Sequence, residues 1–99
     1  MADAFGAQLR RLRVRLGISQ NQLARLARVD PAYVNRLERA PADSQAMPSR
    51  KVVLAFWGAL DTGVDDRERL LVAAGHCPEF LLQMTQERFD ALLLLVRSG

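Results

Sequence analysis

The chain has 99 residues, 49% of them hydrophobic and 25% charged, a balance that excludes a disordered chain and leaves room for a single core. The net charge is +3, but it is divided unevenly: residues 1–39 carry +5, from eight arginines against three acids, and residues 40–99 carry −2. A basic half joined to a mildly acidic one suits a module that turns one face to a polyanion.

No strand pattern is visible, and the chain divides into short helical segments with recognisable start and stop signals. Phe5, Leu9, Leu12 and Leu16 recur at spacings of four, three and four, the stripe of an amphipathic first helix, which Gly17 ends. Ser19 with Gln22 forms a capping-box pattern for a second helix, with Leu23, Leu26 and Ala27 on its buried side. That helix stops around Ala27-Arg28. Asp30 caps a third, Pro31 occupies its first turn, and Pro41 terminates it after about Ala40.

Pro48-Ser49 opens a fourth helix, with Val53, Phe56, Trp57 and Leu60 at core spacing and Gly63 in its exit turn. Asp65 with Glu68 reads as a second capping box, for a fifth helix ending at Gly75. Pro78 starts a short further turn, and Thr85 caps a last helix through Phe89, Leu92, Leu93 and Val96. The expected architecture is all-α: a five-helix domain over residues 1–76 and a helical extension over residues 77–99.

Along the third helix, at about 100° per residue, Pro31, Ala32, Asn35, Arg36 and Arg39 share an arc of about 140°, opposite Val34 and Leu37. A small residue, an amide and two guanidiniums are the groups that read base edges: Arg on guanine, Asn on adenine, a small apolar chain on a thymine methyl. Ala32 and Arg36 are expected to contact bases, and Asn35 and Tyr33 to divide between bases and backbone. Arg28, Arg39, Arg50 and Lys51 are candidate phosphate contacts, which set register without reading sequence.

The run Leu16-Gly17-Ile18-Ser19-Gln20-Asn21-Gln22-Leu23-Ala24, followed by Tyr33-Val34-Asn35-Arg36-Leu37-Glu38, resembles the XRE family, the lambda repressor and Cro-like helix-turn-helix proteins. The resemblance covers roughly residues 5–75 and implies a lambda-repressor-like fold that binds double-stranded DNA. It implies that Gln20 braces a phosphate and the recognition helix together, and that Arg13 and Glu38 form an ion pair orienting that helix. The chain departs from the pattern at three places. Arg28 stands where the interhelical turn normally has glycine, Pro31 replaces a residue that is often polar, and the connection from Glu38 to Pro48 is longer than usual. Ser44 and Gln45 in that connection could add DNA contacts, although a tolerated insertion is the simpler reading.

Leu92-Leu93-Leu94-Leu95-Val96 is too apolar for a helix covering one face of a small core. A homodimer through residues 80–97, using Phe89, Leu92, Leu93 and Val96, is expected; the alternative is that this helix folds back on the first. His76 beside Cys77 makes no metal site without further ligands, no acid–base pair or nucleophile arrangement is apparent, and neither cofactor nor enzymatic activity is expected. No apolar run is long enough for a membrane span, and Met1-Ala2-Asp3 lacks the features of a secretory signal. With Cys77 as the lone cysteine, a cytoplasmic location is expected. The sequence thus points to a transcriptional regulator, a repressor above all, the alternative being an antitoxin-like or regulator-binding protein-interaction module.

Overall fold

The computed structural model describes residues 4–40 and 47–98, apart from the side chains of Met84, Thr85, Phe89 and Ser98. The described residues form six helices and no strand: α1 (Phe5–Arg15), α2 (Gln20–Ala27), α3 (Pro31–Arg39), α4 (Arg50–Leu60), α5 (Val64–Ala73) and α6 (Glu79–Ser98). This is an all-α helix-turn-helix fold with a C-terminal helical extension. None of the described helices is long and apolar enough to cross a membrane.

Local signals account for the first three helices. At the end of α1, Gly17 takes φ +70° and the Ile18 N–H reaches back to the Arg13 carbonyl at 3.0 Å, satisfying a carbonyl the helix would otherwise leave open. Ser19 and Gln22 complete the capping box from both sides, at 3.1 and 2.8 Å. Arg28 ends α2 in the left-handed conformation, φ 59° and ψ 46°, the position where the resemblance leads one to expect glycine. Asp30 then caps α3 by accepting from the Ala32 N–H at 2.7 Å, with Pro31 at the first helical position.

The core gathers Phe5, Leu9 and Leu12 from α1, Leu23, Ala24 and Ala27 from α2, and Val34 and Leu37 from α3. Val53, Phe56 and Leu60 of α4 and Leu70 and Leu71 of α5 complete it. Phe5 and Phe56 meet at 6.4 Å between ring centroids. Gly6 lets α1 lie directly on the end of α3: a Cβ there would overlap the Leu37 carbonyl oxygen and sit 2.9 Å from the Glu38 Cα. The absence of a side chain at residue 6 therefore sets how closely these two helices approach.

Five expectations are corrected. Leu26 is not part of the buried side of α2 but 59% exposed, and Leu16, beyond the end of α1, is 41% exposed; in so short a helix, Leu23, Ala24 and Ala27 already fill the face toward α4. Gly63 is not the exit turn of α4. Asp61 ends α4 in the left-handed conformation, and Gly63 precedes α5 in extended form. Asp65 and Glu68 form no capping box, because α5 starts at Val64 and Asp65 is already inside its first turn. The two C-terminal segments are one helix: α6 continues through Thr85, with nothing to break it after Pro78.

Helices α1 to α5 pack on one another, chiefly α2 on α4, α1 on α3 and α2 on α3. α6 shares no comparable packing. At 20 residues it extends about 30 Å, and the molecule accordingly measures 57 × 26 × 22 Å. Leu92, Leu94 and Val96 are exposed, Val96 by 78%, so the last helix does not fold back over the first.

Candidate nucleic-acid interface

α2 and α3 make the two-helix unit, and a line of polar side chains fixes the angle between them. Arg13 of α1 meets Glu38 of α3 in a two-pronged ion pair, Nε to Oε2 and Nη2 to Oε1, each 2.8 Å. The Arg13 side chain is 13% exposed and that of Glu38 3%. Its third nitrogen donates to the Ile18 carbonyl in the turn before α2, at 3.0 Å. The Glu38 hydrogen bond, offset in part by burial, raises the Arg13 pKa above its ordinary value and keeps the guanidinium charged at any pH the fold survives.

Glu38 does more than hold Arg13. Its Oε1 also accepts from Gln20 Nε2 at 3.1 Å, and Gln20 Oε1 accepts from Asn35 Nδ2 at 3.2 Å. The order Arg13, Glu38, Gln20, Asn35 thus links α1, the end of α3, the first residue of α2 and the middle of α3. Both carboxylate oxygens are used, and none of the buried side-chain polar atoms among the described residues lacks a partner, as a dry polar network requires.

Beside that line on α3, Pro31, Ala32, Arg36 and Arg39 are exposed, while Val34 and Leu37, on the other side of the helix, are buried. Arg36 lies over the Tyr33 ring at 5.8 Å, a cation–π contact that limits the directions the guanidinium can take. Tyr33 is half-buried; burial raises its pKa, the Arg36 charge opposes the shift, and the phenol stays protonated. Asn35 is also half-buried, and one of its amide protons is given to Gln20. Arg28 and Lys51 are exposed at the end of α2 and the first turn of α4.

Arg50, expected at a phosphate, is turned inward to α6. Its Nε and Nη2 donate to Glu79 Oε1 at 3.0 and 2.7 Å, and Nη1 donates to the Cys77 carbonyl at 2.7 Å. Each of its three nitrogens makes a bond there, and the side chain is 28% exposed. Ser44 and Gln45 lie outside the described residues, as does the side chain of Phe89. Sequence reasoning missed the internal role of Asn35 and the bonds at the root of α6. The only linear hint of the latter is an arginine at the start of one helix and a glutamate at the start of another, 29 residues apart. Among the described residues no group of three His, Cys, Asp or Glu side chains could hold a metal ion.

No curated protein and no solved structure matches the chain significantly. A family model described as the helix-turn-helix domain matches residues 4–70, a span that contains α1 to α4, every member of the polar line and most of α5. The chain therefore belongs to the helix-turn-helix domain family, a family of DNA-binding domains.

Proposed function

We propose that this protein is a sequence-specific regulator of the XRE kind that inserts α3 into the major groove of double-stranded DNA and represses transcription in the cytoplasm by occupying its site. Ala32 and Arg36 read bases, with Pro31 packing beside them; Tyr33 and Asn35 contact the groove edge. Arg28, Arg39, Lys51 and the α2 terminus at Gln20 take phosphates. One observation carries this reading: α3 is held along one edge of its exposed arc by Arg13, Glu38 and Gln20, while Ala32, Arg36 and Arg39 face solvent. A helix oriented by buried bonds loses little freedom when it docks, and the exposed residue types match base edges.

The functional unit is a homodimer in which residues 1–76 form the reading head and residues 77–99 join two copies. Leu82, Phe89 and Val96 recur every seven residues and Leu92 falls three after Phe89, the spacing of a helix seam. Leu92 and Val96 are exposed, and Leu93 partly so. A helix of about 30 Å paired with its copy would align these positions in one continuous seam. Two heads then address half-sites about one helical turn apart.

Selection from random duplexes, followed by titration of the winner at several salt concentrations, tests the proposal. The expected outcome is one enriched motif, bound with an affinity that falls steeply with salt, at a log–log slope of about −7 for the roughly eight phosphates that two heads contact. Recovery of no motif would reject it. The exposed leucines of α6 favour the second reading, a protein-interaction module, only if binding to a protein proves strong and insensitive to salt.

A further inference from the structure

The distal part of α6 has no body to rest on, so its direction is decided in its first turn, and two neighbouring residues there are held by two different helices. Glu79 is held by Arg50 of α4, which also binds the Cys77 carbonyl just before the helix. The Phe80 N–H donates to Glu68 Oε2 of α5 at 3.0 Å. Glu68 is itself fixed by Arg67 Nε at 2.8 Å, and Arg67 lies 5.2 Å from the Trp57 ring centroid. Trp57 is anchored in turn by donating to the carbonyls of Thr62 and Gly63 at 3.0 and 2.9 Å. His76 adds a ring N–H bond to the Pro48 carbonyl at 2.8 Å, tying the connection to the chain just ahead of α4.

Apolar packing contributes little here, since Phe80, Leu81 and Leu82 are all substantially exposed. Directional bonds therefore set the axis. A tilt of 10° at the root moves the tip of a 30 Å helix by about 5 Å, more than the 3.4 Å rise of one base pair along a strand.

We propose that Glu79 and Glu68 are positioning residues for DNA recognition: gripped by α4 and α5, they fix the angle at which α6 leaves the reading head and thereby the half-site spacing that the dimer accepts. This rests on the DNA-binding, α6-paired dimer proposed above. Neither glutamate touches DNA. They act through the geometry of the join, so their loss relaxes spacing without altering how a single head binds.

The test uses the full chain and Glu79→Ala, with Glu68→Ala as a second variant should the first fold poorly. In a Cys77→Ser background, spin labels at Gly58→Cys, where a side chain meets no neighbour, report the distance between the two heads without DNA. The proposal expects a narrow distribution in the parent and one at least twofold broader in the variant. On duplexes bearing two selected half-sites, the parent favours one spacing at least tenfold over those two base pairs away. The variant discriminates less than threefold, and its affinity for a single half-site stays within twofold of the parent's. An unchanged width with unchanged spacing preference overturns the inference. So does a uniform loss at every spacing, which would place Glu79 in binding itself, and so does a parent that stays monomeric. A chain that selects no duplex rejects the DNA reading instead, and the label distances then decide the geometry of the join alone.

Discussion

Glu38 and Gln20 lie 18 residues apart and share a hydrogen bond of 3.1 Å from Gln20 Nε2 to Glu38 Oε1. Through it the carboxylate that neutralises Arg13 also orients the first side chain of α2, and the other end of that side chain holds Asn35. One acidic group thus sets both the stability of the domain and the attitude of its exposed helix, and the two effects can be separated by substitution.

Glu38→Ala leaves the Arg13 guanidinium, 13% exposed, without its counter-charge. Removing one partner of such a pair costs about 3 kcal/mol, and denaturant titration should show a loss of this size. Glu38→Gln, which still accepts from Gln20, should lose less. An unchanged midpoint for Glu38→Ala would show that water replaces the carboxylate freely.

Gly6→Ala should be more damaging than its single methyl suggests. The new Cβ would collide with the Leu37 carbonyl oxygen, which is backbone and has no rotamer to escape by. α1 must lift off α3, at a cost of about 3 kcal/mol in line with severe overpacking, and the Arg13–Glu38 pair is pulled apart with it. Thermal denaturation checks the loss; a variant as stable as its parent would mean that α1 can slide without penalty.

Arg28→Gly should act in the opposite direction. Arg28 adopts φ 59°, which costs a side-chain-bearing residue of order 1 kcal/mol, while glycine gives back part of that gain through the freedom of the unfolded chain. The net expectation is a stability gain of up to about 1 kcal/mol, seen as a higher melting temperature. DNA affinity should fall at the same time, with one fewer phosphate in the salt slope.

Arg36→Ala and Lys51→Ala should differ in kind. The first removes the group proposed to read a base and should cost about 1–3 kcal/mol on the selected site while relaxing preference at one base position. The second removes an exposed charge and should weaken all sequences alike, lowering the salt slope by about one per head. Competition titrations with single-base variants of the site distinguish the two.

Glu68 supplies a pH dependence. Burial pushes its pKa up, but the Phe80 N–H, the Arg67 hydrogen bond and charge, and the Glu79 N–H more than compensate, and the carboxyl titrates below its ordinary 4.5. A carboxyl depressed in the folded state stabilises fully above its unfolded pKa, and the contribution disappears as pH falls through the folded value. The stability difference between the parent and Glu68→Gln should therefore be constant above about pH 5 and shrink below 4.5. A difference that stays constant down to pH 3 would show that Glu68 carries no such linkage.

Helix boundaries near α2 and α3 were legible in the sequence because their signals act over a few residues. Ser19 with Gln22, Asp30 with Pro31, and Gly17 need nothing distant to work, and the helical period alone separates Arg36 and Ala32 from Val34 and Leu37. Gln20 and the Arg13–Glu38 pair were suggested by family resemblance, not by spacing. The docking of rigid pieces alone decided the rest: that Leu26 is left in solvent, that Asn35 is tied to Gln20, that Gly6 admits a carbonyl, and that Arg50 pairs with Glu79. Such contacts join residues 15 to 31 positions apart, and their existence depends on distances and angles between helices, which no local pattern of residues encodes.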